Sequence, residues 1–310
     1  MNASFKTKLN YGLVILLCVI TVLPSALAQK EAKENFKRGL EVSNQSPLPF
    51  ESIGVLALVS NESGERVTEV RSWDTFMYWS DRTEPPLGWT QYVPDHEPMV
   101  APATPKPLTL NPGESRAWAR HLDYQSGRGH VLKSPGLNLL RAQIGEVDSE
   151  PIQIRIKEPQ GIDREAYEFL KGSNLHRCFS ERTVRKYLNT FTQDTARQLE
   201  EFSTRFAGSR YAQLARLGLA LMWMEGVEGK KDLEQAVSLL QSVTSRANDD
   251  LAARAYYYLG RIAEEQGGMI DADHHYVQAL SLKIDPYFRH QAEQARKEIE
   301  KRLSKQNPRE

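Results

Sequence analysis

The sequence predicts a multidomain chain, an all-β sandwich followed by an all-α stack of helical hairpins, behind a secretory leader. Three observations predict it. Apolar residues alternate with a period of two through much of 46–158. The period changes to 3.6 after Glu158-Pro159-Gln160-Gly161. The first 28 residues run from basic to apolar to small side chains.

The leader comes first. Lys6 and Lys8 form a short basic region, and no acidic residue precedes Gln29. Residues 12–23 are an almost unbroken apolar run, closed by Pro24 and the small-residue pattern Ala26-Leu27-Ala28. That layout predicts a signal peptide over 1–28, cleaved after Ala28, and export to a periplasmic or secreted location in a bacterial envelope. The apolar core is about a dozen residues, short of the roughly 20 that span a bilayer, so an uncleaved anchor is the alternative. Cys18 follows Leu17 inside the apolar run, which does not fit lipid attachment. After cleavage only Cys178 remains, so the exported chain must stand on its core without an intrachain disulfide. The chain has 40 basic and 40 acidic residues, and losing Lys6 and Lys8 leaves a formal charge of −2. Nothing in that balance resembles the basic footprint of a nucleic-acid binder. Residues 29–45, charged and mostly polar, read as a flexible lead-in.

Over 46–158 the punctuation is that of strands and turns. Ile53, Val55, Ala57 and Val59 alternate with Gly54, Leu56 and Leu58, as in a strand buried on both faces. Asn61-Glu62-Ser63-Gly64 is a turn signal, residues 66–73 resume an extended pattern, and Phe76-Met77-Tyr78-Trp79 follows. Asn111-Pro112-Gly113 is a further turn, with a strand at 118–122. Residues 137–144 read as a strand before Pro151. Ile152, Ile154 and Ile156 then alternate with Gln153, Arg155 and Lys157, which places the isoleucines on one face. Short strands, frequent turns and about 110 residues predict an immunoglobulin-like sandwich. Between them Pro94, Pro98, Pro102, Pro105 and Pro107 exclude a central strand, so 94–107 reads as a surface excursion.

Asp163 is a good N-cap, and helices are expected at 163–171, 181–190, 193–206, 210–225, 232–246, 250–266, 269–282 and 286–304, leaving 305–310 as a tail. Ser180, Thr192 and Asp232 offer caps, and Gly208, Gly226 and Gly267 offer stops. In 253–286, Tyr256, Leu259, Gly260, Gly267, Ala272, Tyr276 and Ala279 fall at the offsets of a tetratricopeptide repeat. Gly260 and Ala272 would sit where the two helices touch, the aromatic and leucine side chains would fill the space around them, and Gly267 would let the chain reverse. Ala263 and the late Pro286 depart from the pattern. Leu214, Leu217, Gly218, Leu221, Ala236, Leu240 and Val243 repeat it upstream, with a turn about six residues longer. On these residues the chain resembles tetratricopeptide-repeat (TPR-like) bacterial envelope proteins with an N-terminal immunoglobulin-like β domain. The helical resemblance covers about 190–286. In the β region it rests on 108–115, 139–142 and 149–152.

That resemblance implies a solenoid over 163–304 whose first helices line a concave surface. By the repeat's offsets Arg254, Tyr257, Arg261, Glu264 and Glu265 would face it, as would Ala212, Ala215, Leu219, Met222 and Trp223. An apolar wall beside an Arg/Tyr/Glu wall would suit a peptide or partner helix, and the apolar set could equally be buried core.

Other chemistry is weaker. Asp271, Asp273, His274 and His275 are the one local cluster with metal-binding residue types. Adjacent histidines on a helix point about 100° apart, however, and a solvated face is the ordinary reading. Cys178 lies near His176 and Arg177, which could lower a thiol pKa, yet no nucleophile setting surrounds it. His121, His130 and Asp123 come without a Gly-x-Ser-x-Gly motif, and no phosphate-cradling glycine loop is present. Trp73, Trp79, Trp89 and Trp118, with Tyr78 and Tyr92, could form a sugar-stacking platform or, more simply, the core and rim of the sheet region. The expected function is therefore a non-catalytic exported adapter with a protein or peptide partner, no metal or cofactor, and membrane contact only through an uncleaved leader. A glycan or cell-wall binding module and an unrecognised enzyme are the alternatives.

Overall fold

The structure, a computed structural model, describes residues 36–69, 75–81, 88–92, 108–125, 129–144, 147–247 and 249–306. The leader, residues 29–35 of the lead-in, Trp73 and the proline-rich 94–107 segment lie outside the described residues.

The strands in chain order are β1 (Phe36–Val42), β2 (Ile53–Asn61), β3 (Val67–Glu69), β4 (Thr75–Ser80), β5 (Thr90–Tyr92), β6 (Leu108–Leu110), β7 (Ser115–Leu122), β8 (Tyr124–Gln125), β9 (Gly129–His130), β10 (Gly136–Ile144), β11 (Val147–Asp148) and β12 (Ile152–Ile156). They pair antiparallel in four sheets: β1-β2-β7; β11-β10-β4-β5 with β12 also on β10; β3-β6; and β8-β9. In β12, Ile154 and Ile156 are buried and Gln153 and Arg155 exposed. In β2, Ile53, Val55, Ala57 and Val59 are buried while Leu56 and Leu58 are half-buried. The buried residues of both strands share a core with Met77, Leu140, Ala142 and Ile144.

Residues 36–42, expected within a flexible lead-in, instead form β1, paired with β2 from Phe36↔Asn61 to Val42↔Val55. The polar composition hides an alternation: Phe36, Leu40 and Val42 pack on the core while Lys37 and Glu41 face water.

The α-helices are α1 (Gly161–Lys171), α2 (Glu181–Lys186), α3 (Gln193–Arg205), α4 (Arg210–Glu225), α5 (Leu233–Thr244), α6 (Asp250–Glu265), α7 (Met269–Ser281) and α8 (Pro286–Gln306), with 3₁₀ turns at Leu175–Phe179 and Leu188–Thr190. Local chemistry accounts for many of the ends. The Ser180, Thr192, Ser209, Asp232 and Asp249 side chains accept main-chain N–H groups at the starts of α2 to α6. Gly226, at φ 95°, closes α4 in a conformation costly for other residues. Asp163, expected as a cap, sits in the first turn of α1, and its carboxylate accepts from the Arg210 N–H at 2.7 Å. Successive helices from α3 to α8 pack on one another. A Cβ at Gly260 would fall 2.7 Å from the Tyr276 ring, and Ala272 and Ala279 are fully buried there. Leu259 is buried beside them, Tyr256 is half-buried, and Gly267 has φ 82°.

The expected fold class needs correction. The described residues form a mixed chain, about 49% helix and 24% strand, with small antiparallel sheets and eight α-helices. Among the described residues no all-β immunoglobulin-like sandwich stands apart, and the helices do not form a separate all-α solenoid. Two contacts explain the difference. Phe50, between β1 and β2, is buried in the helical core with Tyr167 and Phe179. The start of α8 packs back onto β2 and β7, where His121 Nε2 and the Asp285 carboxylate lie 3.0 Å apart, both almost wholly buried. Period two and period 3.6 identify strands and helices, but not which surfaces close on each other.

Gly54 makes that closure possible, since a Cβ there would lie 1.9 Å from Asp285 Oδ2. Gly54→Ala should displace the carboxylate and break a buried pair, lowering stability by about 3–5 kcal/mol. Urea unfolding followed by circular dichroism measures it; a midpoint unchanged from wild type contradicts this account of Gly54.

Candidate functional site

The residues expected to line a hollow divide into two groups. On α4 and α6, Ala212, Ala215, Leu219, Met222, Arg254 and Tyr257 are buried, Arg254 at 1% exposure and Tyr257 at 5%. The molecule's own chain covers Arg254, Tyr257 and the middle of α4, while Leu219 also borders an open depression. The 3₁₀ turn Leu175–Phe179 presses on α4 so closely that a Cβ at Gly218 would lie 2.2 Å from the Cys178 carbonyl oxygen. The Phe288 ring, at the start of α8, lies 5.1 Å from the Arg254 guanidinium and 5.4 Å from the Tyr257 ring. Arg254 and Tyr257 are therefore covered by the chain's own residues.

This junction is strongly polar. Burial pushes the Asp285 carboxyl upward, but His121 and Arg254 outweigh it and hold the group below the usual carboxylate range. The Tyr287 main-chain N–H also donates to Asp285, at 2.8 Å. Glu181 is buried and paired with Arg185 at 3.1 Å.

Arg261, Glu264, Glu265 and Trp223 remain at the rim, beside two depressions that flank the end of α4. The first, about 350 Å³, is lined by Arg185, Glu225, Lys231, Arg261, Glu264, Glu265 and Arg302, with Met224. Its carboxylates are engaged: Glu225 by Arg185 at 3.0 Å, Glu265 by Lys231 at 2.9 Å, and Glu264 by Arg302 at 3.3 Å. Arg261 donates to the Tyr257 hydroxyl at 3.3 Å and, among the described residues, has no carboxylate within ion-pair distance. The second depression, about 380 Å³, has Ala196, Leu219 and Trp223 below and Gln193, Asp194, Arg197 and Glu200 around it. Arg197 pairs with Asp194 and with Glu201. Both depressions fall within the size range of small-ligand sites. Neither brings together a nucleophile and a base.

The other candidates have structural partners. Asp273 accepts from Arg296 of α8 at 2.7 Å, His275 stacks on Tyr256 at 6.3 Å, and the His274 and His275 rings lie 5.9 Å apart. Among the described residues no three metal-ligand side chains converge. Cys178 is fully buried, and burial pushes its thiol up to about 12, so little thiolate exists at neutral pH. Asp123 accepts from the Tyr92 hydroxyl and from Ser180 Oγ, both at 2.7 Å. Trp79 and Trp118 pack beside the sheet core, and the Arg141 guanidinium covers the Trp89 ring at 4.5 Å and the Tyr78 ring at 5.1 Å.

Sequence reasoning missed one polar centre. Arg210 pairs with Glu51 at 2.7 Å, Asp250 at 3.0 Å and Asp249, joining the loop before β2 to the starts of α4 and α6. Acids at helix starts were visible in the sequence, but no local rule links residues 159 positions apart.

No protein-family model and no curated protein matches the chain. Solved structures overlap it in part. A β-glucosidase from Erythrobacter marinus shares 17% identity over 39% of this chain and 15% of its own, with a TM-score of 0.24. A Listeria innocua β-glucosidase in complex with laminaribiose shares 18% identity over 40% of this chain and 16% of its own, at 0.25. A Pseudomonas fluorescens alkylpurine DNA glycosylase bound to DNA shares 12% identity over 40% of this chain and 31% of its own, at 0.26. The chain spans less than a third of each of these proteins, and at such scores the likeness carries no argument.

The burial difference along α6 is measurable. Arg254→Glu should cost more than about 3 kcal/mol, because it puts an acid beside Asp285 without solvent. Arg261→Glu, at the exposed rim, should change stability by less than about 0.5 kcal/mol. Thermal unfolding of both variants checks this; equal losses would contradict the assignment of one to the interior and one to the rim.

Proposed function

We propose that the chain is an exported, non-catalytic binding protein that holds a segment of another envelope protein across the C-terminal ends of α4 and α6. The observation that carries this reading is the pair of depressions either side of α4. One offers an apolar floor at Leu219 and Trp223, the other a mixed-charge surface centred on Arg261. Tryptophan and arginine are the side chains most often responsible for binding energy at interfaces. An extended segment with an apolar side chain beside a charged one would engage both depressions. Pairing of the rim carboxylates with neighbouring cations supports the reading, because it leaves the charges oriented before a partner arrives.

The basic, apolar and small-residue order of residues 1–28 supports export. A glycan platform is the less favoured reading, because Arg141 already lies over the Trp89 and Tyr78 rings.

Two measurements test the proposal. Fractionation and intact mass of the chain expressed in a bacterium should show an exported product beginning at Gln29; a cytoplasmic product with its leader intact removes the export claim. A photo-crosslinking residue in place of Glu200 or Arg261 should capture the same protein from envelope extracts, while one replacing Glu234 on exposed α5 should not. Trp223→Ala should reduce capture at least 10-fold with the circular dichroism spectrum unchanged. Equal capture from all three positions, or recovery of a glycan that is lost on Trp89→Ala, would overturn it.

A further inference from the structure

An imidazole cluster joins the sheet region to the 3₁₀ turn that fills the inner face of α4. His130, at the end of β9, donates from Nε2 to the main-chain carbonyl of His176 at 2.9 Å. The two imidazole rings lie 5.4 Å apart, and the Phe50 ring stacks on His176 at 4.6 Å and meets His130 edge-on at 5.4 Å. His130 is 3% exposed. Because its Nε2 carries the hydrogen given to the carbonyl, an added proton must go to Nδ1. Nδ1 of both His130 and His176 is buried without a hydrogen-bond partner.

Among the described residues, the charged and titratable surroundings offer no compensating acid. Arg177, on the same turn, lies 5.4 Å from the rings of both Tyr124 and Tyr187. Asp123, next to Tyr124, is turned to Tyr92 and Ser180. Glu51, next to Phe50, is engaged by Arg210 and by the Leu48 N–H. Tyr167, packed on Phe50, donates its hydroxyl to the Lys133 carbonyl at 3.1 Å. Lys186 lies over the Tyr187 ring at 4.9 Å, and Cys178, following Arg177, is neutral. Protonation would thus place two imidazolium groups beside a guanidinium with no carboxylate among the described neighbours facing them.

We propose that His130 and His176 form an acid-operated latch, whose protonation releases the Leu175–Phe179 turn from the sheet region and uncovers the inner face of α4 around Gly218. Burial holds the His130 imidazole down to about 3. It likewise holds His176 down to about 4, with Arg177 adding to the effect. Groups depressed in the closed form stabilise it fully above their free value near 6.5 and progressively less as the pH falls below that. At pH 4.5 each histidine therefore favours the released form by up to about 100-fold relative to neutral pH.

Cys178 lies within the turn and reports its release. The full chain carrying Cys18→Ser has one thiol, which can be titrated with 4,4′-dithiodipyridine between pH 7.5 and 4.0. Far-UV circular dichroism is followed in parallel. The labelling rate, divided by that of the urea-unfolded chain at the same pH so that the loss of thiolate cancels, is low at pH 7.5 and should rise at least 100-fold by pH 4.5 while the ellipticity is retained. His130→Gln combined with His176→Gln should reduce that rise to under 10-fold. A relative rate unchanged down to pH 4.5, labelling that appears only as ellipticity is lost, or the wild-type pH dependence in the double variant would each overturn the latch. Should the double variant fail to fold, imidazole proton shifts of the Cys18→Ser chain decide the matter. Titration of both rings together with labelling upholds the latch, and rings still neutral when Cys178 reacts overturn it.

Discussion

The contact between Asp285 and His121 is the constraint on which the arrangement depends. A carboxylate excluded from water is costly unless paired and hydrogen-bonded. Here His121, the Tyr287 N–H and the nearby Arg254 charge provide that compensation. The carboxylate can reach this place only because β2 has no side chain at Gly54. Once it is seated, the start of α8 is fixed. Phe288 then lies among His121, Arg254, Tyr257 and Tyr258, with ring contacts of 5.4 to 5.8 Å to His121 and the two tyrosines. The end of the helical series thereby meets the sheet that begins the described chain, and Arg210 draws the starts of α4 and α6 towards the loop before β2 in the same way.

That closure governs what the helices can offer a partner. The helices from α3 to α8 pack in succession, and much of α4 and α6 is buried. In this molecule the covering is largely internal: the 3₁₀ turn at Leu175–Phe179 lies against Gly218, and Phe288 lies against Arg254 and Tyr257. The depressions that remain open lie at the ends of α4 and α6, bordered by Trp223 and Arg261. The covering turn is itself held by neutral imidazoles, so the occupied inner face and the open rim need not be permanent alternatives.

Much of the secondary structure was legible in the residues. Ile152 to Ile156 declare a strand by alternation, and the Ser180, Thr192 and Asp232 caps and the Gly226 stop mark helix ends through chemistry confined to a few neighbouring positions. β1 was not legible, because Lys37, Arg38 and Glu41 outweigh Phe36, Leu40 and Val42 in any reading by composition. Arg254 and Arg261 illustrate the limit for the site. They stand seven residues apart on one helix and were expected to face the same hollow, yet one is buried against Phe288 and the other is exposed. An arginine is rarely buried, so nothing local distinguished them.

The sequence by itself therefore determined the periods, the turns and the caps, since each reports how a residue is oriented about its own strand or helix axis. Only the tertiary structure decided that the sheets and helices close on one another, that Asp285 seats beneath β2, and that α4 is covered from within. Those outcomes depend on which distant surfaces meet, as when residues 164 positions apart come within 3.0 Å, and a local pattern carries no information about the occupant of the space it faces.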